Sequence, residues 1–245
     1  MATLDVSIEN YPWIVSIQRG KAHACGGVII ASDIILTAAH CVTDIVTRPQ
    51  HWHAISVNAG SSNWKTLVQN HSILSIELHP YFHNNDKGVP VVDLALILLS
   101  GQLQFNNKVQ PACYTTTDGD LKLIENKQIL CYVAGWGVTE KAYTSYPLKL
   151  AAVEYATCDD FRRHLDNMSP ITEDMMCLRG KGPGVDACQG DSGGPVICKL
   201  DKTPPFIMDR DRNLDNPFFI SLILNYFFNL FSNAAFVNLF VSWKK

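Results

Sequence analysis

Apolar residues between positions 11 and 198 occur in short runs separated by Gly, Asn, Asp and Pro. Runs of about four to eight apolar residues, bounded by turn-forming residues, are typical of strands, whereas helices show a longer apolar period. The pattern therefore predicts many short antiparallel strands and an all-β fold. The predicted strands are Trp13–Gln18, Gly27–Ala31, Ile55–Ala59, Ile73–Leu78, Val91–Leu99, Ile129–Ala134 and Pro195–Cys198.

Two segments depart from this strand pattern. The first, Thr157–Leu165, begins with aspartates and ends with basic residues, an order that suits the helix dipole and predicts a helix. The second, Phe105–Thr117, contains Asn106, Asn107 and Pro111, and we interpret it as a connector between two halves of the chain.

The C-terminal segment, residues 199–245, has a different composition, without glycine or cysteine and with most of the phenylalanines. Three interpretations are open: a membrane anchor over residues 217–243, an amphipathic tail that binds a partner, and aberrant sequence such as a retained intron. The uncharged run exceeds the roughly 20 residues needed to span a bilayer. Asn225, Asn229 and Asn233 within the run disfavour an anchor, and the Phe/Asn/Leu/Ile bias of translated AT-rich DNA favours the third interpretation.

Size and charge narrow the class of protein. With 245 residues and 47% hydrophobic content, the chain can bury the core of one compact unit or two smaller ones. A net charge of −3 with scattered basic residues argues against a nucleic acid or a polybasic membrane partner. The first residues are too short of charge and apolar length for a secretory signal, whereas sequons at Asn70 and Asn167 are compatible with secretion.

Three motifs carry candidate chemistry. Ser192 lies in the glycine-rich run 188–195, which allows backbone N–H groups to approach a reacting carbonyl, although the run alone also fits a simple turn. His40 lies among small residues after an apolar run. Asp93 lies in the apolar run Val91–Ile97, where an ionised carboxylate is costly unless something shares its charge. We interpret the other histidines as structural: His23, His51, His53, His71, His79, His83 and His164.

Taken in order, His40, Asp93 and Ser192 resemble the catalytic triad of the trypsin/chymotrypsin family. The resemblance also includes Tyr11-Pro12-Trp13, Cys25-Gly26-Gly27 and Gly135-Trp136-Gly137. It implies two antiparallel six-stranded Greek-key β-barrels with the active site between them. A protease domain would cover residues 3–198, with a first barrel at about 11–105 and an incomplete second barrel from about 118. Residues 199–245 would be an atypical hydrophobic segment.

The resemblance also implies the roles of the site residues. Ser192 would be the nucleophile, His40 the base and Asp93 the group that orients the base. The backbone N–H groups of Gly190 and Ser192 would form the oxyanion hole. This family needs no cofactor or metal ion.

Two further aspartates have roles in the family's pattern. Asp186, six residues before Ser192, matches the acid at the base of the specificity pocket in trypsin-like members and implies cleavage after Arg or Lys. Asp191 matches the acid that pairs with the ammonium group of a newly released Ile after activation. The chain contains no Ile-Val-Gly-Gly segment to supply that group, so we expect a zymogen-like arrangement of the loop.

The eight cysteines, together with the disulfide framework that the resemblance implies, indicate an oxidising compartment and hence an extracellular protein. The alternative is a set of reduced thiols in a cytosolic protein. A zinc site is not expected, because the sequence has no Cys-x-x-Cys pair. The resemblance leaves Cys113 and Cys188 without partners. It implies the three disulfides Cys25–Cys41, Cys131–Cys198 and Cys158–Cys177.

The sequence thus predicts a secreted, monomeric serine endopeptidase that acts on proteins or peptides and is a target for protease inhibitors. The alternative is a catalytically inactive homologue that serves as a binding or regulatory module. A contact with a membrane through residues 217–243 is not favoured.

Overall fold

The computed structural model describes residues 4–112, 130–139, 144–159, 171–172, 175–181, 189–199 and 218–220. Several sequence predictions fall outside these residues, namely Asp186, Cys113, Cys188, residues 160–165 of the predicted helix Thr157–Leu165 and most of the C-terminal segment.

Six strands of the first half form a closed barrel. In the order in which they pair, they are β2 (Ile14–Arg19), β3 (Ala22–Ala31), β4 (Ile34–Thr37), β9 (Ala95–Leu99), β6 (Gln69–Leu78) and β5 (Ile55–Ala59), and β5 closes onto β2. All of these contacts are antiparallel. Alternate residues of β9 are fully buried, which places Ala95, Ile97 and Leu99 in the barrel core.

Five strands of the second half and one N-terminal strand form an antiparallel six-stranded sheet. Its path is β1 (Leu4–Asp5), β11 (Lys149–Tyr155), β10 (Leu130–Gly135), β13 (Val196–Lys199) and β14 (Phe218–Ile220), with β12 (Leu178–Gly180) paired to β11. A two-stranded ribbon of β7 (His83–Asn84) and β8 (Pro90–Val91) lies outside both units. The dominance of antiparallel strands and the closed barrel confirm the predicted all-β, two-barrel fold class.

The helical elements that can be placed within the described ranges are short. They include the α-helical turn Thr43–Val46 and the 3-10 turns Ile8–Asn10, Ala39–Cys41 and Pro49–Ala54. Among the described residues, no helix has the length and apolar character needed to cross a membrane.

The predicted strand Val91–Leu99 is interrupted, which corrects the sequence interpretation. Strand β8 ends at Val91 and β9 begins only at Ala95. Between them, Val92 has a φ of 49° and its carbonyl accepts a hydrogen bond from the Leu94 N–H at 2.8 Å. Asp93 therefore lies at the centre of a tight three-residue turn rather than in a strand.

Part of the C-terminal segment joins the second sheet. Strand β14 pairs antiparallel with β13, with Cys198 opposite Phe219 and Lys199 opposite Phe218. The backbone of residues 218–220 thus covers an edge of β13 that would otherwise present unpaired N–H and C=O groups.

Candidate active site

His40 lies where strand β4 turns back at the end of the first barrel. The buried run Ile35–Thr37 fixes the strand, and the 3-10 turn Ala39–Cys41 then reverses the chain. A disulfide joins Cys41 to Cys25 of β3, so the turn is tied to the neighbouring strand as well. The His40 side chain remains 39% exposed while Ala39 and Cys41 are buried, so the imidazole projects from a fixed backbone towards solvent.

Asp93 binds His40 at two points. Its Oδ2 lies 2.5 Å from His40 Nδ1, and its Oδ1 accepts a hydrogen bond from the His40 backbone N–H at 2.7 Å. The aspartate is 4% exposed. A buried carboxylate is retained when hydrogen bonds satisfy it, and this pair of contacts also fixes the tilt of the imidazole ring.

Ser192 is brought to the same place by contacts of its backbone. Its carbonyl accepts a hydrogen bond from Gly26 N–H at 2.8 Å. Cys41 Sγ lies 3.7 Å from His40 Nε2 and 3.8 Å from the Ser192 carbonyl oxygen. The outer nitrogen of the imidazole and the serine are therefore neighbours on either side of one sulfur atom.

Glycine is required on both sides of this junction between the barrel and the serine loop. A Cβ at Gly26 would lie 2.9 Å from the Gly194 backbone. Gly193 has a φ of 78°, and a Cβ there would lie 2.6 Å from the Gly26 carbonyl oxygen. Only residues without side chains allow the loop to approach the first barrel this closely.

Hydrogen bonds to two carbonyls fix the direction of the Gly190 and Ser192 N–H groups. Gln189 C=O accepts from Val138 N–H at 2.8 Å, and Asp191 C=O accepts from Gly194 N–H at 3.0 Å. The described peptide bonds are all trans, so each N–H points away from the carbonyl that precedes it. Both N–H groups are therefore directed away from the groups that anchor the loop.

His23 fixes the next carbonyl, that of Gly190. His23 Nε2 donates to it at 2.8 Å, and His23 Nδ1 accepts from the Ser16 hydroxyl at 2.8 Å. Burial lowers the pKa of His23 to about 4, a shift that the hydrogen bond to Gly190 opposes. The imidazole is therefore neutral at physiological pH, with its proton on Nε2, which is the tautomer that the Gly190 carbonyl requires.

The carboxylate of Asp191 occupies a cradle made by two glycines. Its Oδ1 accepts a hydrogen bond from Gly137 N–H at 2.8 Å. A Cβ at Gly135 or Gly137 would collide with this carboxylate. The Gly-Trp-Gly sequence around Trp136 is thus explained by the acid that it accommodates, while Trp136 is buried and donates from Nε1 to the Ser62 carbonyl at 2.8 Å.

Three disulfides are present among the described residues, and the first of them adjoins His40: Cys25–Cys41, Cys131–Cys198 and Cys158–Cys177. The atoms of Cys25, Cys41 and His40 lie close enough to suggest a metal cluster. Both sulfurs belong to a disulfide, so they are not thiolates and this group of atoms is a poor metal site.

The sequence interpretation treated His23 as a structural histidine and missed its contact with the Gly190 carbonyl. The available signal was Ser16, a buried hydroxyl within the apolar run Ile14–Ile17, since a buried polar group in a strand needs a partner. Val138 and Gly137 were also missed, because they act through backbone N–H groups that any residue but proline supplies.

Comparisons with known proteins show the family of the chain. The Trypsin family model matches residues 3–203. Ovochymase of Halocynthia roretzi is 29% identical over 214 residues, which is 83% of this chain but 13% of that protein. The chain therefore spans a small part of the length of that relative.

A solved structure shows the same fold. Neuropsin, a serine protease expressed in the limbic system of mouse brain, matches with a TM-score of 0.64 and 26% sequence identity, covering 80% of this chain and 81% of that one. Together with the family match over most of the sequence, this similarity identifies the chain as a member of the trypsin family of serine proteases.

Proposed function

We propose that this chain is a serine endopeptidase that uses Ser192, His40 and Asp93 as a catalytic triad and cleaves after Arg or Lys. The observation that carries the proposal is the buried Asp93 carboxylate, which contacts His40 at both its backbone N–H and its Nδ1. An aspartate with only a structural role needs hydrogen-bond donors for its buried carboxylate and nothing more. This one also sets the orientation of a half-exposed imidazole beside a serine in a glycine-rich loop.

The chemistry follows from these contacts. Nδ1 of His40 donates to Asp93, so Nε2 carries the lone pair and accepts the proton of the Ser192 hydroxyl as its oxygen attacks the scissile carbonyl. Asp93 then stabilises the imidazolium. His40 returns the proton to the leaving amine, and water hydrolyses the acyl-enzyme by the same steps in reverse order.

The tetrahedral intermediate needs donors for its oxyanion, and the N–H groups of Gly190 and Ser192 serve as those donors. Support comes from the anchored carbonyls of Gln189, Asp191 and Gly190, which prevent the loop from turning its N–H groups inward. Loss of one such donor costs about 2.7–4 kcal/mol of transition-state stabilisation in enzymes of this chemistry.

The proposed specificity for Arg or Lys depends on Asp186 as the acid of the specificity pocket. This residue lies outside the described residues. A carboxylate at the closed end of a narrow pocket attracts a cationic side chain and disfavours an apolar one. The substrates are accordingly proteins or peptides with exposed basic residues, and the partners include inhibitors that present such a residue to the pocket.

The protein is proposed to be a secreted monomer, as the three disulfides suit an oxidising compartment. We place the protease domain at residues 3–198 and extend its second sheet to the strand at 218–220 that pairs with β13. Asp191 is assigned to the activation ion pair, and its carboxylate in the glycine cradle is the group that a new N-terminal ammonium would reach.

A fluorophosphonate probe tests the proposal directly. We expect the probe to label the protein, and labelling to disappear in Ser192→Ala but persist in Ser100→Ala, which alters an exposed serine of the first barrel. Turnover of fluorogenic peptides with Arg or Lys at the cleaved position should follow the labelling. Folded protein that takes no label would instead indicate a catalytically inactive homologue with a binding role.

A further inference from the structure

Val92, next to the aspartate of the proposed triad, has an unfavourable backbone conformation. It is the only non-glycine with a positive φ among the described residues, at 49°. For a β-branched residue this region is a genuine outlier, because the side chain crowds the following carbonyl. Val92 is also buried, so its neighbours hold it in place.

The conformation of Val92 determines where the Asp93 side chain goes. In an extended strand, successive side chains alternate between faces, and a chain that ran straight from Val91 to Ala95 would continue β8 into β9. Instead, the left-handed residue and the hydrogen bond from Leu94 N–H to the Val92 carbonyl form a tight turn centred on Asp93. In this turn both carboxylate oxygens contact one residue, His40.

We infer that Val92 is a positioning residue whose strained backbone aims the Asp93 carboxylate at His40. Strain of this kind persists only when surrounding contacts outweigh it. Here the two hydrogen bonds from His40 to Asp93 and the burial of Val92 supply those contacts. The φ angle of Val92 orients Asp93, and the chemistry of the valine side chain is not needed for this. This inference rests on the proposed function, since Val92 acts through Asp93 of the proposed triad.

The backbone claim is tested by comparing alanine with glycine at two adjacent valines. All four variants are made in the Ser192→Ala background, which prevents self-digestion, and are unfolded in urea. At Val91, which lies in β8 without a positive φ, we expect Val91→Gly to have an unfolding equilibrium constant about threefold above that of Val91→Ala. At Val92 the order should reverse, with Val92→Gly about tenfold below Val92→Ala. The same order at both positions would overturn the inference.

The positioning claim is tested by kinetics in the active protein. Val92→Gly can keep the positive φ and should retain kcat within a few-fold. Val92→Pro, whose ring fixes φ near about −65°, should lower kcat towards the level of Asp93→Asn with little change in KM. The double variant Val92→Pro/Asp93→Asn should lose no more than Asp93→Asn alone, because both changes disable the same group.

Two kinetic outcomes contradict the inference: losses that multiply in the double variant, which would indicate general damage, or full activity of Val92→Pro. If no variant, including the unmodified chain, reacts with the fluorophosphonate, the proposed function fails. The order of stability at Val91 and Val92 would still decide whether the backbone is strained, so the two failures are distinguishable.

Discussion

Acid should destabilise this protein through His23, a histidine outside the proposed triad. Burial lowers the pKa of His23 from 6.5 to about 4, because a charged imidazole between Ser16 and the Gly190 carbonyl would lose its water. Above pH 6.5 the residue is neutral in both the folded and the unfolded chain. Between pH 6.5 and about 4 the unfolded chain binds a proton that the folded chain refuses, so the free energy of unfolding falls as the pH falls.

The size of the effect follows from the difference between the two pKa values. At about 1.4 kcal/mol for each pH unit, the interval from 6.5 to about 4 corresponds to a loss of roughly 3 kcal/mol that is complete near pH 4. Such a loss is a large fraction of the roughly 5–15 kcal/mol that stabilises a typical domain.

The assay is urea unfolding followed by tryptophan fluorescence at several pH values from 7 to 4. Ser192→Ala serves as the parent, to avoid self-digestion, and is compared with Ser192→Ala/His23→Gln. The glutamine amide can still donate to the Gly190 carbonyl but does not titrate. We expect the parent to lose about 3 kcal/mol more than the glutamine variant across this range. Parallel curves for the two proteins would refute the argument that the buried imidazole resists protonation.

Three further predictions concern the loop, the specificity and the compartment. Gly193→Ala should destabilise the protein by more than about 2 kcal/mol in thermal unfolding, because the φ of 78° and the nearby Gly26 carbonyl both oppose a side chain. The control Gly88→Ala changes a glycine with a φ of 72° and open space around it, and should cost about 1 kcal/mol. Equal losses in the two variants would contradict the steric argument. Asp186→Ser should lower kcat/KM for Arg and Lys peptides by about 100-fold and leave apolar peptides unaffected; an unchanged preference would exclude Asp186 from the pocket. Asn70 is exposed within an Asn-x-Ser sequon, so secretion of the Asn167→Gln variant, which lacks the second sequon, from eukaryotic cells should add an N-glycan that peptide N-glycosidase removes and a further Asn70→Gln change prevents. An unglycosylated Asn167→Gln product would contradict this expectation.

The sequence predicted those parts of the fold in which each strand has its own apolar run. Strand β5 at Ile55–Ala59 and the buried part of β2 are of this kind, since alternating or continuous apolar residues favour one extended conformation. The turn at Val92 and Asp93 was not predictable, because valine favours extended structure, and the burial of Val92 and the contacts of Asp93 with His40 override that preference. Strand β14 was also missed, since its segment carries the uncharged composition of a membrane span.

The candidate site also has a part that the sequence predicts and a part that it does not. The difference is whether a contact is made by a side chain or by the backbone. Asp93 could be identified from the sequence because a carboxylate in an apolar run requires a partner, and His40 is the contact that the structure gives it. The His23 contact joins residues 167 positions apart and ends on a carbonyl that every residue possesses, so no side-chain pattern records it. The side chains of the proposed triad are therefore visible in the sequence, whereas the backbone contacts that position them are visible only in the fold.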